Sequence, residues 1–283
     1  MSTRPFNIRI FVAEGIPDGL RMVEKSNWVG LGLICPRGRY PDVRKRDEFA
    51  NSGVYILLGN EGDRDQPTVY VGEAETVRDR LDNHQANKDF WQTAIVFTTK
   101  GDPLNKAEVQ YLEARLVELA KKNRRCHLDN STQPKRPSLS EADEAEVCGY
   151  LAELLSLLPV LGVNVFEEFA AHTQSKVKFT LIGSDWNAAG HETNSGFLVL
   201  ADSIARIDTV PSMRAHLKTR PKLIEDGILK ESEGKLIFTT DYEFSSPSHA
   251  ATVIAGRNTN GRDAWKDSRG KTLKEHQQNA VNL

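Results

Sequence analysis

The chain is poor in cysteine, methionine and aromatic residues, has no long apolar run, and carries no excess of charge of one sign. Its three cysteines, Cys35, Cys126 and Cys148, stand in neither metal-ligand nor paired spacing. That argues against a disulfide-stapled scaffold or a zinc knuckle and leads to the expectation of a reducing, cytoplasmic setting. Each cysteine is expected to act as a small buried hydrophobe. A formal net charge of −2 over 283 residues removes the global positive field of a non-specific nucleic-acid binder, so a polyanion would have to meet local basic patches. The most apolar stretch, "LAELLSLLPVLGVNVF" at 151–166, contains Glu153 and Pro159. It is too short to span a bilayer and reads as a core helix followed by a turn. Arg4 and Arg9 interrupt the only early apolar run, so neither a signal peptide nor a membrane partner is expected. There is no internal repeat.

What is present is an ordinary globular composition, 39% hydrophobic and 27% charged, on a chain long enough for one large domain or two modest ones. Residues 1–50 read as a strand–helix–strand extension: "FNIRIFVA", a short helix in "GIPDGLRMVEKSN", then "WVGLGLICP". Strands are expected over 54–58, 68–71 and 94–98, with a helix in "ETVRDRLDNH" between the second and third. A long helix is expected from Asp102-Pro103, and another from Ser138, three residues before Glu141, stopped by Pro159. Residues 167–190 lose periodicity and read as a linker. Beyond them an accessory domain over 191–275 is expected to hold a strand pattern in "GFLVLADSIARI", a helix near 211–225, a hairpin turning at Glu233-Gly234 and a helix capped by Ser246. Residues 276–283 read as a tail.

Three local features could carry chemistry. Gly53-Val54-Tyr55 and Tyr70-Val71-Gly72 place a tyrosine and a glycine in mirrored order on neighbouring strands; an aromatic hairpin or an active site would both explain them. Arg80 and His84 lie one helical turn apart and share a face, and arginine suits phosphate oxygens. Glu113 has Val109, Leu116 and Val117 as its helical neighbours. A carboxylate on an apolar stripe is costly unless paired or coordinated, so either a structural salt bridge or a hard oxygen ligand for Mg²⁺ accounts for it. Basic runs at Arg37–Arg46, Lys121–Arg125 and Arg257–Lys274 are each explained by a solvated surface.

In this order, Tyr55, Tyr70, Arg80 and Glu113 resemble the GIY-YIG nuclease superfamily over roughly residues 51–166. Arg80 follows Tyr70 by ten residues, as the family's arginine follows its second tyrosine, and valines replace the isoleucines of both triplets. The resemblance implies an α+β fold with a three-stranded antiparallel core, and a phosphodiester hydrolase using one Mg²⁺ or Mn²⁺. Tyr55 would then be the general base or would position the water, and Tyr70 would orient the phosphate. Arg80 would neutralise developing charge and Glu113 would hold the metal. A phenol is a poor base near neutral pH, so the metal and Arg80 are the expected sources of phenolate stabilisation. His84 would assist Tyr55 or touch the phosphate, and Asn130, with Asn123 as fallback, would supply the family's asparagine. Two departures stand out: Glu73 follows the second triplet where the repair branch has a lysine, and the loop between the triplets is long, which reads as affecting substrate access.

The stretch from Arg220 to Asp267 is similar to a domain of uncharacterised function that commonly accompanies bacterial GIY-YIG nucleases. Arg257, Arg262 and Lys266, with Lys271, are candidate nucleic-acid contacts there, and Trp265 is a candidate for stacking or for a core anchor. The resemblance implies DNA as the polymer and target choice by the C-terminal domain. The alternatives are an RNA-directed nuclease and a non-cleaving binding or sensor module.

Overall fold

The computed structural model describes residues 5–60, 66–167, 177–210 and 219–281 and divides between Glu167 and Glu168 into two compact units. The protein is α+β, with a seven-stranded sheet in each unit. No helix among the described residues is long and apolar enough to cross a membrane.

The first unit begins with β1 (Ile8–Val12), β2 (Arg21–Lys25), β3 (Gly30–Pro36) and the single turn α1 (Tyr40–Val43). It continues through β4 (Gly53–Gly59), β5 (Thr68–Ala74), α2 (Val77–Asn87), β6 (Trp91–Thr99), α3 (Lys106–Asn123), β7 (His127–Leu128) and α4 (Glu141–Leu157). The sheet order is β1-β2-β3-β6-β4-β5-β7, antiparallel throughout except for the short β5–β7 pair. Because side chains alternate across a strand, β4 to β6 bury residues on both faces. Val54, Ile56, Val69, Val71, Ile95 and Phe97 join Leu112 and Leu116 of α3 and Leu151 and Leu154 of α4 in one core. Tyr55, Leu57, Ala94 and Val96 join Tyr40 of α1 and Val77 and Leu81 of α2 in the other.

Several expectations give way here. The segment read as a helix before Trp28 forms β2, because Met22 and Val23 pair with β1 on one side and β3 on the other; paired neighbours outweigh local propensity. Since β3 in turn pairs with β6, the strands of 8–36 build part of the main sheet rather than an appendage. α3 starts at Asn105, not Asp102. Asn105 accepts from the Glu108 amide while the Glu108 carboxylate accepts from the Asn105 amide, and this reciprocal capping box outcompetes a lone aspartate. α4 is capped by Ser140 instead of Ser138. Cys35 is buried and its thiol pushed up to about 12, by burial first and then by Glu14, whereas Cys148 is exposed, contrary to expectation. Residues 61–65 of the long loop lie outside the described residues, as does Arg4.

The second unit contains β8 (Phe179–Ile182), β9 (Asn187–Glu192), β10 (Phe197–Val199), β11 (Ile204–Ala205), α5 (Thr219–Glu225), β12 (Leu229–Ser232), β13 (Lys235–Phe238), β14 (Tyr242–Phe244), α6 (Pro247–Ala255), α7 (Gly261–Ala264) and α8 (Leu273–Val281). Its strands run β12-β13-β11-β9-β10-β14, with β8 added beside β9, and every pair is antiparallel. The hairpin turn falls on Glu233 and Gly234, both at positive φ (50° and 68°), the combination a two-residue type I′ turn needs. α6 is capped by Ser246, carries Pro247 in its first turn and ends at Gly256 in the left-handed region. The proposed 167–190 linker is corrected: 179–182 and 187–192 are strands, and 168–176 lie outside the described residues. The supposed tail forms the end of α8 as far as Val281. Of the expected 211–225 helix, Thr219–Glu225 is described.

Candidate functional site

The two triplets are explained first by the β4–β5 register. Tyr55 lies directly opposite Gly72, and Leu57 opposite Tyr70. A Cβ on Gly72 would collide with the hydroxyl and ring of Tyr55, so glycine there is a steric requirement of the facing phenol. Gly53 similarly lets the Phe97 carbonyl of β6 approach. One tyrosine–glycine pair of the mirrored order, Tyr55 and Gly72, is thus a facing pair, whereas Gly53 faces Ala74 and Tyr70 faces Leu57.

Tyr55, only 1% exposed, and Tyr70 share this face with ring centroids 6.2 Å apart. α2 covers them: the His84 ring lies 5.5 Å from Tyr55 and 5.0 Å from Tyr70, and its Nε2 is 2.8 Å from the Tyr55 hydroxyl. Arg78, on the same helix, donates to the Arg44 and Arg46 carbonyls at 2.7 and 3.0 Å, fastening α2 to the segment after α1. Arg80 is exposed and, among the described residues, makes no hydrogen bond or ion pair. The Arg37–Arg46 run, by contrast, is occupied with partners: Arg44 pairs with Asp82, Arg46 with Glu48 and Arg37 with Asp89.

Glu113 reaches the site from α3. The structural salt bridge that would have explained it is absent: among the described residues no cation pairs with it, whereas Glu118 accepts from Arg115 at 2.7 Å and Arg136 at 3.0 Å. Burial pushes its carboxyl up to about 7, Glu73 adds to the rise, and Arg80 opposes it. Glu73 lies opposite Val54 and therefore on the α3 side of β5. Asn130 takes a different place. Its Oδ1 accepts from the Val71 amide at 2.9 Å and its Nδ2 donates to the Val71 carbonyl at 2.7 Å, so both amide groups are engaged with the edge of β5. Asn123 is buried in the last turn of α3.

Burial, then Tyr70 and Glu113, push the Tyr55 phenol upward against the pull of Arg80. The Tyr70 phenol is raised by burial and Glu113, with Lys88 and Arg80 opposing. His84 moves the other way, down to about 4, through burial and then the charges of Lys88 and Arg80, with Asp129 opposing. At neutral pH the dyad is therefore a neutral imidazole bonded to a protonated phenol. An unfolded imidazole binds protons more readily between pH 4 and its ordinary value, so this group's contribution to stability is lost as pH falls through that window. In denaturant titrations, wild-type protein is expected to lose up to about 3 kcal/mol more than His84→Gln on going from neutral pH to pH 4. Parallel losses would show that His84 is solvated.

Sequence reasoning missed Lys88 and Asp129. Lys88 caps α2, its Nζ lies 4.5 Å from the Tyr70 ring centroid, and it forms an ion pair with Asp129. Nothing in the chain order signals this, because Asp129 arrives through the β5–β7 pairing, where its amide donates to the Val69 carbonyl. In the second unit Arg257, Arg262 and Lys266 are exposed; Arg262 donates to Gln277 at 2.8 Å. Trp265 is fully buried against Phe197, with its Nε1 donating to the Pro247 carbonyl at 3.1 Å. It is a core anchor and is not available for stacking on a base.

Residues 179–277 match a family described as a domain of unknown function (DUF4357). That match lies wholly within the second unit and begins at β8. No curated protein and no solved structure matches the chain.

Proposed function

We propose that the first unit is a GIY-YIG-type endonuclease that hydrolyses phosphodiester bonds with Mg²⁺ or Mn²⁺. The observation that carries this reading is the Tyr55–His84 bond beside Tyr70, with Arg80 and Glu113, both unpaired among the described residues, acting on the charge of Tyr55. The antiparallel β6–β4–β5 triad, part of the seven-stranded sheet, supports the reading, since the resemblance implies a three-stranded antiparallel core.

The residues fit a divalent cation. Glu113 is a half-buried carboxylate with no cationic partner among the described residues, a donor that suits a hard ion retaining most of its waters. Glu113 would hold it, and the ion would polarise the phosphate and stabilise the leaving oxygen. Arg80 would bind a non-bridging phosphoryl oxygen, and Tyr70 would donate its hydroxyl to the same group. Tyr55 cannot rely on an unaided phenolate, since burial opposes one. Instead His84 Nε2 takes the phenolic proton as the Tyr55 oxygen takes one from the attacking water. The resulting hydroxide forms the new P–O bond, the opposite P–O bond breaks with its electron pair, and solvent protonates the leaving oxygen. The approaching phosphodiester anion offsets Lys88 and Arg80 and so raises the basicity of His84.

The test is cleavage of supercoiled plasmid, linear duplex, single-stranded DNA and RNA in Mg²⁺, Mn²⁺ or EDTA. Tyr55→Phe should bind nucleic acid as wild type does while cleaving ~10²–10⁴-fold more slowly, the usual contribution of a general base. Cleavage of nothing by wild type, with binding retained, would leave the non-cleaving binding module. DNA is the proposed polymer, with RNA an outcome of the same assay, and a cytoplasmic location belongs to the proposal. Arg257, Arg262 and Lys266 are proposed contacts through which the C-terminal domain governs target choice; Asn130 acts by holding the β5 edge.

A further inference from the structure

The ion pair of Lys88 and Asp129 makes and breaks no bond in the chemistry above, yet it sits against the reacting cluster. Lys88 follows the last turn of α2, and its amide donates to the His84 carbonyl at 3.0 Å. That carbonyl also accepts from Trp91 Nε1 at 3.3 Å, so the backbone joining His84 to Lys88 is held from two sides. The Lys88 ammonium is then drawn over the Tyr70 ring, 4.5 Å from its centroid, while bonded to Asp129. Asp129 is itself anchored, its amide donating to Val69 of β5 at 2.8 Å. A flexible lysine is thereby fixed between two tethered partners, one of them the tyrosine ring that packs on both Tyr55 and His84.

We propose that Lys88, held in place by Asp129, is the positioning cation of the Tyr55–Tyr70–His84 cluster. An ammonium over an aromatic face draws on the ring's π density, which makes the Tyr70 hydroxyl a stronger donor to phosphate. The same charge adds to burial in keeping the imidazole in its neutral, proton-accepting form until an anion arrives. The groups facing His84 are Tyr55 on β4, Tyr70 on β5, Arg80 and Lys88 on α2, and Asp129 beyond β7. Among these Lys88 and Arg80 disfavour imidazolium and Asp129 favours it. The pair therefore adjusts, from two opposed sides, a charge state that burial sets first.

This inference rests on the nuclease reading for its purpose, but its test does not need cleavage. The imidazole resonances of His84 are followed by NMR through an acid titration of the full chain in EDTA, without nucleic acid. Lys88→Met should raise the His84 pKa by about one unit, as expected for removing a nearby charge at intermediate dielectric. Asp129→Asn should lower it, because the asparagine oxygen still accepts from Lys88 while the carboxylate charge is gone, and Lys88→Arg should leave it close to wild type. An unchanged His84 in Lys88→Met, or a shift of the same sign in both charge-removing variants, would overturn the proposal. Should Lys88→Met fail to fold, Asp129→Asn carries the test alone, and a pKa that does not fall defeats it. Absence of cleavage by wild type would instead defeat the nuclease reading and leave the ordering of pKa values standing. Where cleavage is found, Lys88→Met should lower kcat with little change in KM, because Lys88 acts through Tyr70 and His84.

Discussion

Glu113→Gln is expected to abolish metal-dependent cleavage and, at the same time, to make the metal-free protein more stable. Both effects follow from one property: the Glu113 carboxylate is desolvated and has no cation partner among the described residues. Such a group costs stability whenever it is ionised. Its folded pKa, about 7, lies above the ordinary carboxyl value. The folded state therefore binds more protons than the unfolded chain between those two values, and the penalty grows as pH rises through them. In EDTA at mildly alkaline pH the glutamine variant should gain on the order of 2 kcal/mol; at pH 4, where both carboxyls are protonated, the gain should vanish. Chemical denaturation at the two pH values measures this. A variant that is less stable at both would mean that Glu113 is a structural partner and not a vacant ligand. A variant that gains stability yet cuts at the wild-type rate would separate the electrostatics from the proposed metal site.

The second large effect concerns a residue with no chemistry of its own. Gly72→Ala places a methyl group where the ring and hydroxyl of Tyr55 lie. Tyr55 is almost fully buried between Gly72 and His84, so the ring can only move by giving up its bond to His84 and disturbing the core beneath α2. Overpacking of this kind costs about 1–3 kcal/mol, and loss of the Tyr55–His84 geometry should remove cleavage with it. In a double-mutant cycle, Gly72→Ala should cost less stability in a Tyr55→Ala background than in wild type, and the double variant should be inactive. A single Gly72→Ala variant with wild-type midpoint and wild-type rate would show that the strand pair can open there freely.

The mirrored triplets illustrate how legible the site was. The chain shows that Tyr55 and Tyr70 belong to a hairpin and that Arg80 and His84 share a helix face, because periods of 2 and 3.6 are local properties. The odd position of Glu113 was also visible, since its helical neighbours are apolar. The identity of the partner each residue meets was not. Tyr55 faces Gly72 because of strand register. Asn130 is drawn onto Val71 because the chain after α3 returns to the β5 edge. Trp265, for which the chain offered a stacking platform beside a core anchor, is buried against Phe197.

By itself the sequence determined the α+β class, the two-part organisation with a distinct C-terminal segment, and the order of the residues proposed for chemistry. The pattern of segments rests on periodicity and spacing, which act over a few residues, while the α+β class and the set of residues proposed for chemistry rest on the resemblance to the GIY-YIG superfamily. Tertiary structure decided that residues before Gly53 complete the main sheet, that β8 and β9 replace a linker, and that Tyr55 meets a neutral imidazole. It also decided that Lys88 lies over Tyr70 while Glu113, among the described residues, is left without a cation. Each of these depends on pairing between segments far apart in the chain and on burial, which together set both contacts and charge states.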